Sequence, residues 1–357
     1  MKIMVTGGAG FIGSALIRHL LSLKNIKILN IDNLSYAGNL NSIPKELLGK
    51  DYTFKKIDIC NFDEIDNQIR SFKPDKVMHL AAESHVDRSI EDPEVFLRTN
   101  IFGTYNLLES SLAYWTKLNG SKKSSFVFHH ISTDEVYGDL KFKNDFFTEN
   151  SNYNPSSPYS ASKASSDHLV RAWNKTYQLP TIISNCSNNY GPFHFPEKFI
   201  PNVIISALTG QTISIYGDGQ QIRDWLFVED HVKALMKIIN SNRSGETFNI
   251  GGKNEVKNID VAYKICDLLE DLCPQKPTNI NYYRDLISFV EDRPGHDQRY
   301  AIDASKISNL LDWRPLETFD SGIKKTVLWY LNNRAWWETI LENKSHLQRK
   351  GLKNDSI

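Results

Sequence analysis

Hydrophobic positions along the first half of the chain fall into two alternating textures. Short apolar runs at residues 2–5, 26–31, 52–57, 76–80 and 126–131 have strand length, whereas residues 12–23 and 94–118 carry apolar side chains at helical spacing. A further helix over 159–177 and a strand over 181–184 continue the alternation. Strands separated by helical crossovers predict a parallel sheet covered on both faces, a Rossmann-type doubly wound α/β fold. After about Ser187 the texture changes. Pro192, Pro196 and Pro201 lie close together, and Gly217 and Gly219 flank Asp218. Turn signals of this kind predict a smaller, less regular C-terminal domain over 187–342. The first domain then spans 1–186, joined by later segments around 225–250, and 343–357 is a polar tail.

Composition narrows the function classes. Lys+Arg and Asp+Glu both number 42, so no overall field draws the chain to nucleic acid or an anionic membrane. Cys60, Cys186, Cys266 and Cys273 form no close pair and no cluster with histidine at zinc spacing. They read as free thiols of a reducing cytosol, with no metal site. The first apolar run breaks at Thr6-Gly7-Gly8, too early for a signal peptide, and no stretch approaches the ~20 apolar residues of a membrane span. The expectation is a soluble cytoplasmic protein.

The run Thr6-Gly7-Gly8-Ala9-Gly10-Phe11-Ile12-Gly13 lies between the first strand and the first helix. Gly7 suits a tight turn, Gly10 close backbone approach to a pyrophosphate, and Gly13 close helix–strand packing. The helix N-terminus adds unpaired N–H groups for the phosphates. Asp32 ends the second strand roughly 20 residues later, where a carboxylate accepts hydrogen bonds from a ribose 2′-hydroxyl and repels a 2′-phosphate. The combination predicts NAD rather than NADP.

Ser157-Pro158-Tyr159-Ser160-Ala161-Ser162-Lys163 puts Tyr159 and Lys163 on one helical face, with Pro158 suited to the first turn. A free tyrosine, with pKa ~10, is a poor base at neutral pH. A neighbouring Lys⁺ and a positive nicotinamide ring favour phenolate, so the Tyr159 pKa is expected to fall. The strand 126–131 ends in Ser132-Thr133-Asp134-Glu135-Val136-Tyr137-Gly138. Catalytic groups of doubly wound sheets gather at such carboxyl ends. An Asp-Glu pair is commonly a solvated turn or a helix cap. Beside a dinucleotide loop and a Tyr/Lys pair, it reads as an acid and a base separated by environment.

These segments, together with 81–87, 187–192 and Asp292-Arg293-Pro294-Gly295-His296, resemble the extended short-chain dehydrogenase/reductase family. The likeness is closer to its dTDP-glucose 4,6-dehydratase branch and covers residues 1–331. That resemblance implies an NAD-dependent hydro-lyase making a 4-keto-6-deoxy sugar for deoxysugar (rhamnose) synthesis. Carried onto matching positions, Tyr159 with Lys163 takes the 4-hydroxyl proton as hydride passes to NAD, and Thr133 hydrogen-bonds that oxygen. Glu135 removes the C5 proton, Asp134 protonates the departing 6-hydroxyl, and hydride returns to C6.

The resemblance also implies binding roles. Gly7, Gly10, Phe11, Ile12, Gly13, Asp32, Asn33, Leu34, Ser35, Asp58, Ile59, Leu80, Ala81, Ala82, Thr99 and Asn189 would line NAD, with Tyr159 and Lys163. Ser84 and His85 would lie between cofactor and substrate. Asn188, Glu197, Lys198 and Asn258 would hold the nucleotide-sugar, and Arg223, Arg293 and His296 its diphosphate and sugar edge, a task suited to the planar fork of arginine. A homodimer is implied through helices 94–118 and 159–177. Leu107, Leu108, Leu112, Trp115, Leu169, Val170 and Trp173 would offer apolar surface to sheet and partner. The loop 139–154 is shorter than the family pattern, which leaves its lid behaviour open.

Blander readings stand beside these. Arg223 could simply pair with Asp224, His129 and His130 read as packed or hydrogen-bonded residues, and Trp336-Trp337 as packing or an interface. The competing functions are a UDP-glucose 4,6-dehydratase, a nucleotide-sugar 4-epimerase and an inactive NAD-binding scaffold. Asp134 and Glu135 argue against the epimerase, and the Thr133/Tyr159/Lys163 set against the scaffold. Thymine and uracil differ by one methyl, worth only ~1–3 kcal/mol in an apolar pocket. The lean to dTDP comes from the resemblance.

Overall fold

Each strand expected in the first half is present in the computed structural model, which describes residues 1–142, 144–278 and 280–342. The tail 343–357 lies outside the described residues. The strands are β1 (Lys2–Thr6), β2 (Lys27–Asp32), β3 (Tyr52–Lys56), β4 (Lys76–His79), β5 (Val127–Thr133) and β6 (Thr181–Cys186). The later ones are β7 (Asn188–Tyr190), β8 (Ile213–Tyr216), β9 (Ile222–Phe227), β10 (Thr247–Ile250), β11 (Glu255–Lys257) and β12 (Ile287–Val290). Among the described residues, seven form one sheet in the order β10-β6-β5-β4-β1-β2-β3, and every pairing is parallel. Strand order reverses at β1, between β2 and β4. The chains leaving β1 and β4 therefore part to opposite faces and open a crevice at their carboxyl ends.

The side-chain period of two fills both faces of this sheet. Ile3 and Val5 pack with Leu16 and Leu20 of the helix Phe11–Ser22 and with Val232 and Leu235 of the helix Val228–Ile239. Met4, between them, faces Ile65, Leu107, Leu108 and Val170 on the other side. Burial on both faces is why the strands read as continuous apolar runs rather than alternating ones.

The segment 94–118 is not one regular helix. It runs as Pro93–Phe96, a π-helical stretch Leu97–Gly103, and then Thr104–Trp115. The wider turn brings Asn100 inward, where its side chain accepts from Glu83 N at 2.9 Å and donates to Glu83 O at 3.0 Å and Ser162 Oγ at 2.8 Å. The loosened Asn100 carbonyl accepts from Thr104 Oγ1 and Ser166 Oγ, both at 2.6 Å. Such bulges concentrate near functional sites. The unanticipated helix Phe62–Phe72 is capped by Asn61, carries Asp63 and Glu64 in its first turn, and buries Ile65 and Ile69. That thin apolar stripe is easily taken for a loop.

After β6 the elements become shorter. β11-β9-β7 and β12-β8 form two small sheets around a second core that includes Tyr190, Ile204, Trp225, Ile265 and Tyr330. Trp337 is buried there, with Nε1 donating to Tyr330 O at 3.0 Å, and Trp336 packs against Trp329. The tryptophan pair is packing. β10 returns to the large sheet beside β6. The loop 139–154 is fastened down: Phe147 bridges to Ile302, and the Arg299 guanidinium donates to Phe142 O and Asp145 O.

One buried carboxylate ties the late chain to the first core. Asp230 Oδ2 accepts from Leu316 N and Glu317 N, each at 2.8 Å. Asp230→Ala strands both donors. It is expected to destabilise the protein by about 3 kcal/mol, from roughly 1–3 per unsatisfied group, read as a lowered thermal midpoint against Asp230→Asn.

Candidate active site

β1 runs into a turn that only glycine fits. Gly7 has φ +75°, and a Cβ there would lie 2.5 Å from Ala81 N; one on Gly13 would lie 2.0 Å from Gly7 O. The helix Phe11–Ser22 starts at Gly10 with no side chain capping its first N–H groups, which leaves them to a ligand. Asp32, at the end of β2, is held by Ala9 N at 2.9 Å and Leu34 N at 2.8 Å. Burial raises its pKa, and these two bonds oppose the rise. The site therefore has the turn, the dipole end and the carboxylate that a dinucleotide needs.

The helix Pro158–Tyr177 begins with a capping box in which Ser157 and Ser160 bond reciprocally, and Pro158 stands in its first turn. This cap fixes where Tyr159 and Lys163 point. Tyr159 and Thr133 line the same cavity, and Lys163 Nζ donates to Ile131 O at 3.0 Å. The expected fall in the tyrosine pKa is not seen in the protein by itself. Burial first, then the Glu135 charge, holds the phenol well above its ordinary value, with Thr133 opposing. Burial also lowers the Lys163 pKa to about 8.

β5 ends in a tight turn, Asp134–Tyr137, with Thr133 as its cap: Glu135 N donates to Thr133 Oγ1 at 3.2 Å. Asp134 is buried and Thr133 Oγ1 lies 3.4 Å from its Oδ1; its Oδ2 has no hydrogen-bond partner among the described residues. Burial, then the charges of Glu135 and Asp224, pushes the Asp134 pKa well above the usual carboxylate range. Burial raises Glu135 too, but Arg293, Arg223 and Lys198 pull it back. Both carboxyls are thus raised by burial, Asp134 the further, while the three cations hold the rise of Glu135 back.

A cavity of about 470 Å³ gathers nearly all the residues singled out in the sequence: the glycine loop, Asp32, Thr99, Thr133 to Glu135, Tyr159, Lys163, Asn188, Asn189, Arg223, Asn258, Arg293 and His296 among them. A larger hollow of about 920 Å³, lined by Lys2, Arg70 and Lys117, opens by the amino ends of β1 and β2 and contains none of them. Leu34 and Asp58 do not line the active cavity. Leu34 makes a left-handed turn (φ 54°) fastened to Asp32, and Asp58 Oδ1 accepts from Cys60 N at 2.8 Å, so Ile57 and Ile59 face the cavity instead. Glu197 lines it, and its carboxylate is engaged by Arg88 at 2.7 and 3.2 Å.

Arg223 does not pair with Asp224. Its guanidinium donates to Asp297 O at 2.8 Å and stacks on Tyr300, while Asp224 accepts from Gly252 N and Asn254 N. Arg293 meets Asp87 at 2.6 Å, and His296 meets Asp292 at 2.6 Å. His129 bonds Ser184 and His130 lies 3.2 Å from Asp167, both buried with pKa values lowered to about 3 and about 4. They are neutral internal residues. His194, stacked on Phe11 at 4.2 Å, also lines the cavity; no local motif marks it, because its contact is made across the fold.

A family model described as GDP-mannose 4,6 dehydratase matches residues 4–326. A curated dTDP-glucose 4,6-dehydratase of Neisseria meningitidis serogroup B is 58% identical over 350 residues, 98% of this chain and 99% of its own. The chain belongs to the dTDP-glucose 4,6-dehydratase family. Two solved dehydratases of this family are similar in structure. The enzyme of Bacillus anthracis, crystallised with NAD, has a TM-score of 0.83 at 42% identity, covering 95% of this chain and 99% of its own. DesIV of Streptomyces venezuelae, with NAD and TYD bound, has a TM-score of 0.85 at 37% identity, covering 95% and 100%. Among the described residues, no helix of this family member is long and apolar enough to cross a membrane.

Gly13→Ala is expected to leave a folded chain that gains no thermal stabilisation from added NAD, because the turn must open to admit the new methyl. A melting shift with NAD equal to that of the unaltered protein would overturn this reading of the loop.

Proposed function

We propose that the chain binds NAD and dehydrates dTDP-glucose to the 4-keto-6-deoxy sugar. One observation carries this reading: two adjacent carboxyl groups, both raised by burial and Asp134 further than Glu135, follow β5 and open into the cavity that Tyr159 and Lys163 also line. A 4-epimerase needs only oxidation and reduction at C4 and has no use for such a pair, and a scaffold has no use for the phenol–ammonium set.

Gly7, Gly10, Gly13 and Asp32 would hold the dinucleotide. Bound NAD supplies a reversible two-electron acceptor and a positive ring that favours the phenolate which burial resists. Tyr159 takes the proton of the sugar 4-hydroxyl, steadied by Thr133, and Lys163 offsets its charge. With C4 at the ketone level, the C5 proton is acidic and Glu135 accepts it. Asp134 gives its proton to the 6-hydroxyl, which leaves as water. Arg223, Arg293 and Lys198 are cations facing Glu135 and suit the diphosphate. In this reading residues 1–186, completed by 225–250, hold the cofactor, and 187–342 shape the substrate side. Four free thiols suit a cytoplasmic setting.

We further propose a homodimer. Leu107, Leu108 and Val170 are wholly inside the core, so they offer nothing to a partner. The large exposed apolar side chains of the same helices, among the described residues, are Val95, Leu97, Phe102, Tyr105 and Tyr177, with Phe102 62% exposed. Sedimentation of the unaltered chain at micromolar concentration should give twice the monomer mass, and Phe102→Asp should shift it to monomer. A monomer throughout would rule the dimer out.

Glu135→Gln is expected to keep reduction of NAD by dTDP-glucose while slowing dehydration about 10²–10⁴-fold. Full dehydration by that variant would falsify its role. Parallel assays of dTDP-glucose and UDP-glucose, followed by NMR of the product, decide the base. Equal rates would sink the dTDP assignment and keep the reaction.

A further inference from the structure

Three segments far apart in sequence meet over the cofactor end of the cavity in a knot that the dehydration chemistry does not use. Glu197, whose side chain is 3% exposed, sits at its centre. Arg88 grips both its oxygens, Nη2 to Oε2 at 2.7 Å and Nε to Oε1 and Oε2 at 3.2 Å. The Glu197 charge also bears on the Tyr36 phenol, whose pKa is raised by burial first, and His85 Nε2 lies 3.3 Å from Oε1. The Arg88 guanidinium is also stacked on the Tyr36 ring, 3.9 Å from its centroid. A bidentate, stacked arginine on a buried carboxylate is among the most geometrically demanding contacts a protein makes.

The knot joins parts of the chain that border the dinucleotide half of the cavity. Tyr36 follows the Asp32 turn, and its neighbours Ser35, Ala37 and Gly38 line the cavity. Arg88 belongs to the helix Val86–Glu91, just beyond Ser84 and His85. Glu197 belongs to the segment 193–198, whose other side chains reinforce the closure. Phe195 meets the edge of Tyr36 at 5.7 Å, His194 stacks on Phe11 of the glycine loop, and Lys198 Nζ donates to Ser84 O at 2.8 Å. Each contact crosses from the substrate side of the molecule to a cofactor loop.

We propose that Arg88, Glu197 and Tyr36 form a latch that retains NAD in the site between turnovers. The inference rests on the NAD-dependent reading given above. A reaction that leaves its cofactor oxidised has no need to release it, so a fastened cover costs the cycle nothing. The latch residues are positioning residues: they act on NAD by holding the loops that line its cavity.

The test is the rate at which the purified full chain releases NAD, measured without any sugar nucleotide by trapping released NAD with a coupled dehydrogenase. Arg88→Met keeps the stem and removes the fork; its NAD release should be at least tenfold faster, with Arg88→Lys between it and the unaltered protein. Tyr36→Phe keeps the stacked ring and loses the hydroxyl beside the Glu197 charge, and should speed release severalfold even if Arg88→Met does not fold. Unaltered release from a folded Arg88→Met, or from Tyr36→Phe where Arg88→Met is unfolded, overturns the latch. So does a lowered melting point with no change in release, the signature of a merely structural contact. Normal NAD retention in a protein without dehydratase activity would sink the proposed reaction and leave the latch standing.

Discussion

The site depends on a contact that no side chain could occupy. β1 and β4 lie side by side, and the chains leaving them touch where a Cβ on Gly7 would approach Ala81 N to 2.5 Å. This closeness keeps the floor of the crevice narrow and lets a helix start directly behind it, so that unpaired N–H groups face the opening. Asp32 is aimed by the same turn through its bond from Ala9 N. The far wall is set by β5, two strands over from β1, and by the capped helix Pro158–Tyr177. The reacting groups thus stand on the ends of rigid elements, which keeps their geometry from drifting.

Charge in this cavity is arranged by burial as much as by partners. Tyr159, Asp134 and Glu135 are all pushed towards their neutral forms by loss of water, and Lys163 is pushed the same way from the other side. The buried arginines 223 and 293 act against that trend at Glu135 but leave Asp134 high. A pair of adjacent carboxyl groups would otherwise titrate as one poorly defined unit. Here the asymmetry of their surroundings raises Asp134 further than Glu135.

Much of this was readable from local sequence. The glycine loop, Asp32, the Asp134-Glu135 turn and the Tyr159/Lys163 spacing are each contained in a short window, and the physics that positions them is local: caps, turns and strand ends. The parts that escaped are those made by distant contacts. The π-helical stretch is set by Asn100 meeting Glu83 and Ser162, and nothing in residues 94–118 themselves announces it. Asp58, expected with Ile59 beside NAD, accepts from Cys60 N, and Ile57 and Ile59 line the cavity on either side of it. The grip of Arg88 on Glu197 joins residues 109 positions apart, which no local window contains. The expected fall of the Tyr159 pKa counted the neighbouring cation and the nicotinamide ring; in the protein by itself the loss of water dominates.

The return of β10 to the edge of the large sheet bears on how the molecule is made. β6 pairs with β5 on one side and with β10 on the other, yet most of an intervening small sheet and two helices are synthesised between them. At about 5–20 residues per second, a ribosome needs several seconds to cover that interval. Until then β6 presents an unpaired row of backbone donors and acceptors, the kind of edge that recruits strands from other chains. The edge of the large sheet is thus closed by its latest-made strand, and truncation ahead of residue 247 would leave the backbone groups of β6 on that side without their partner.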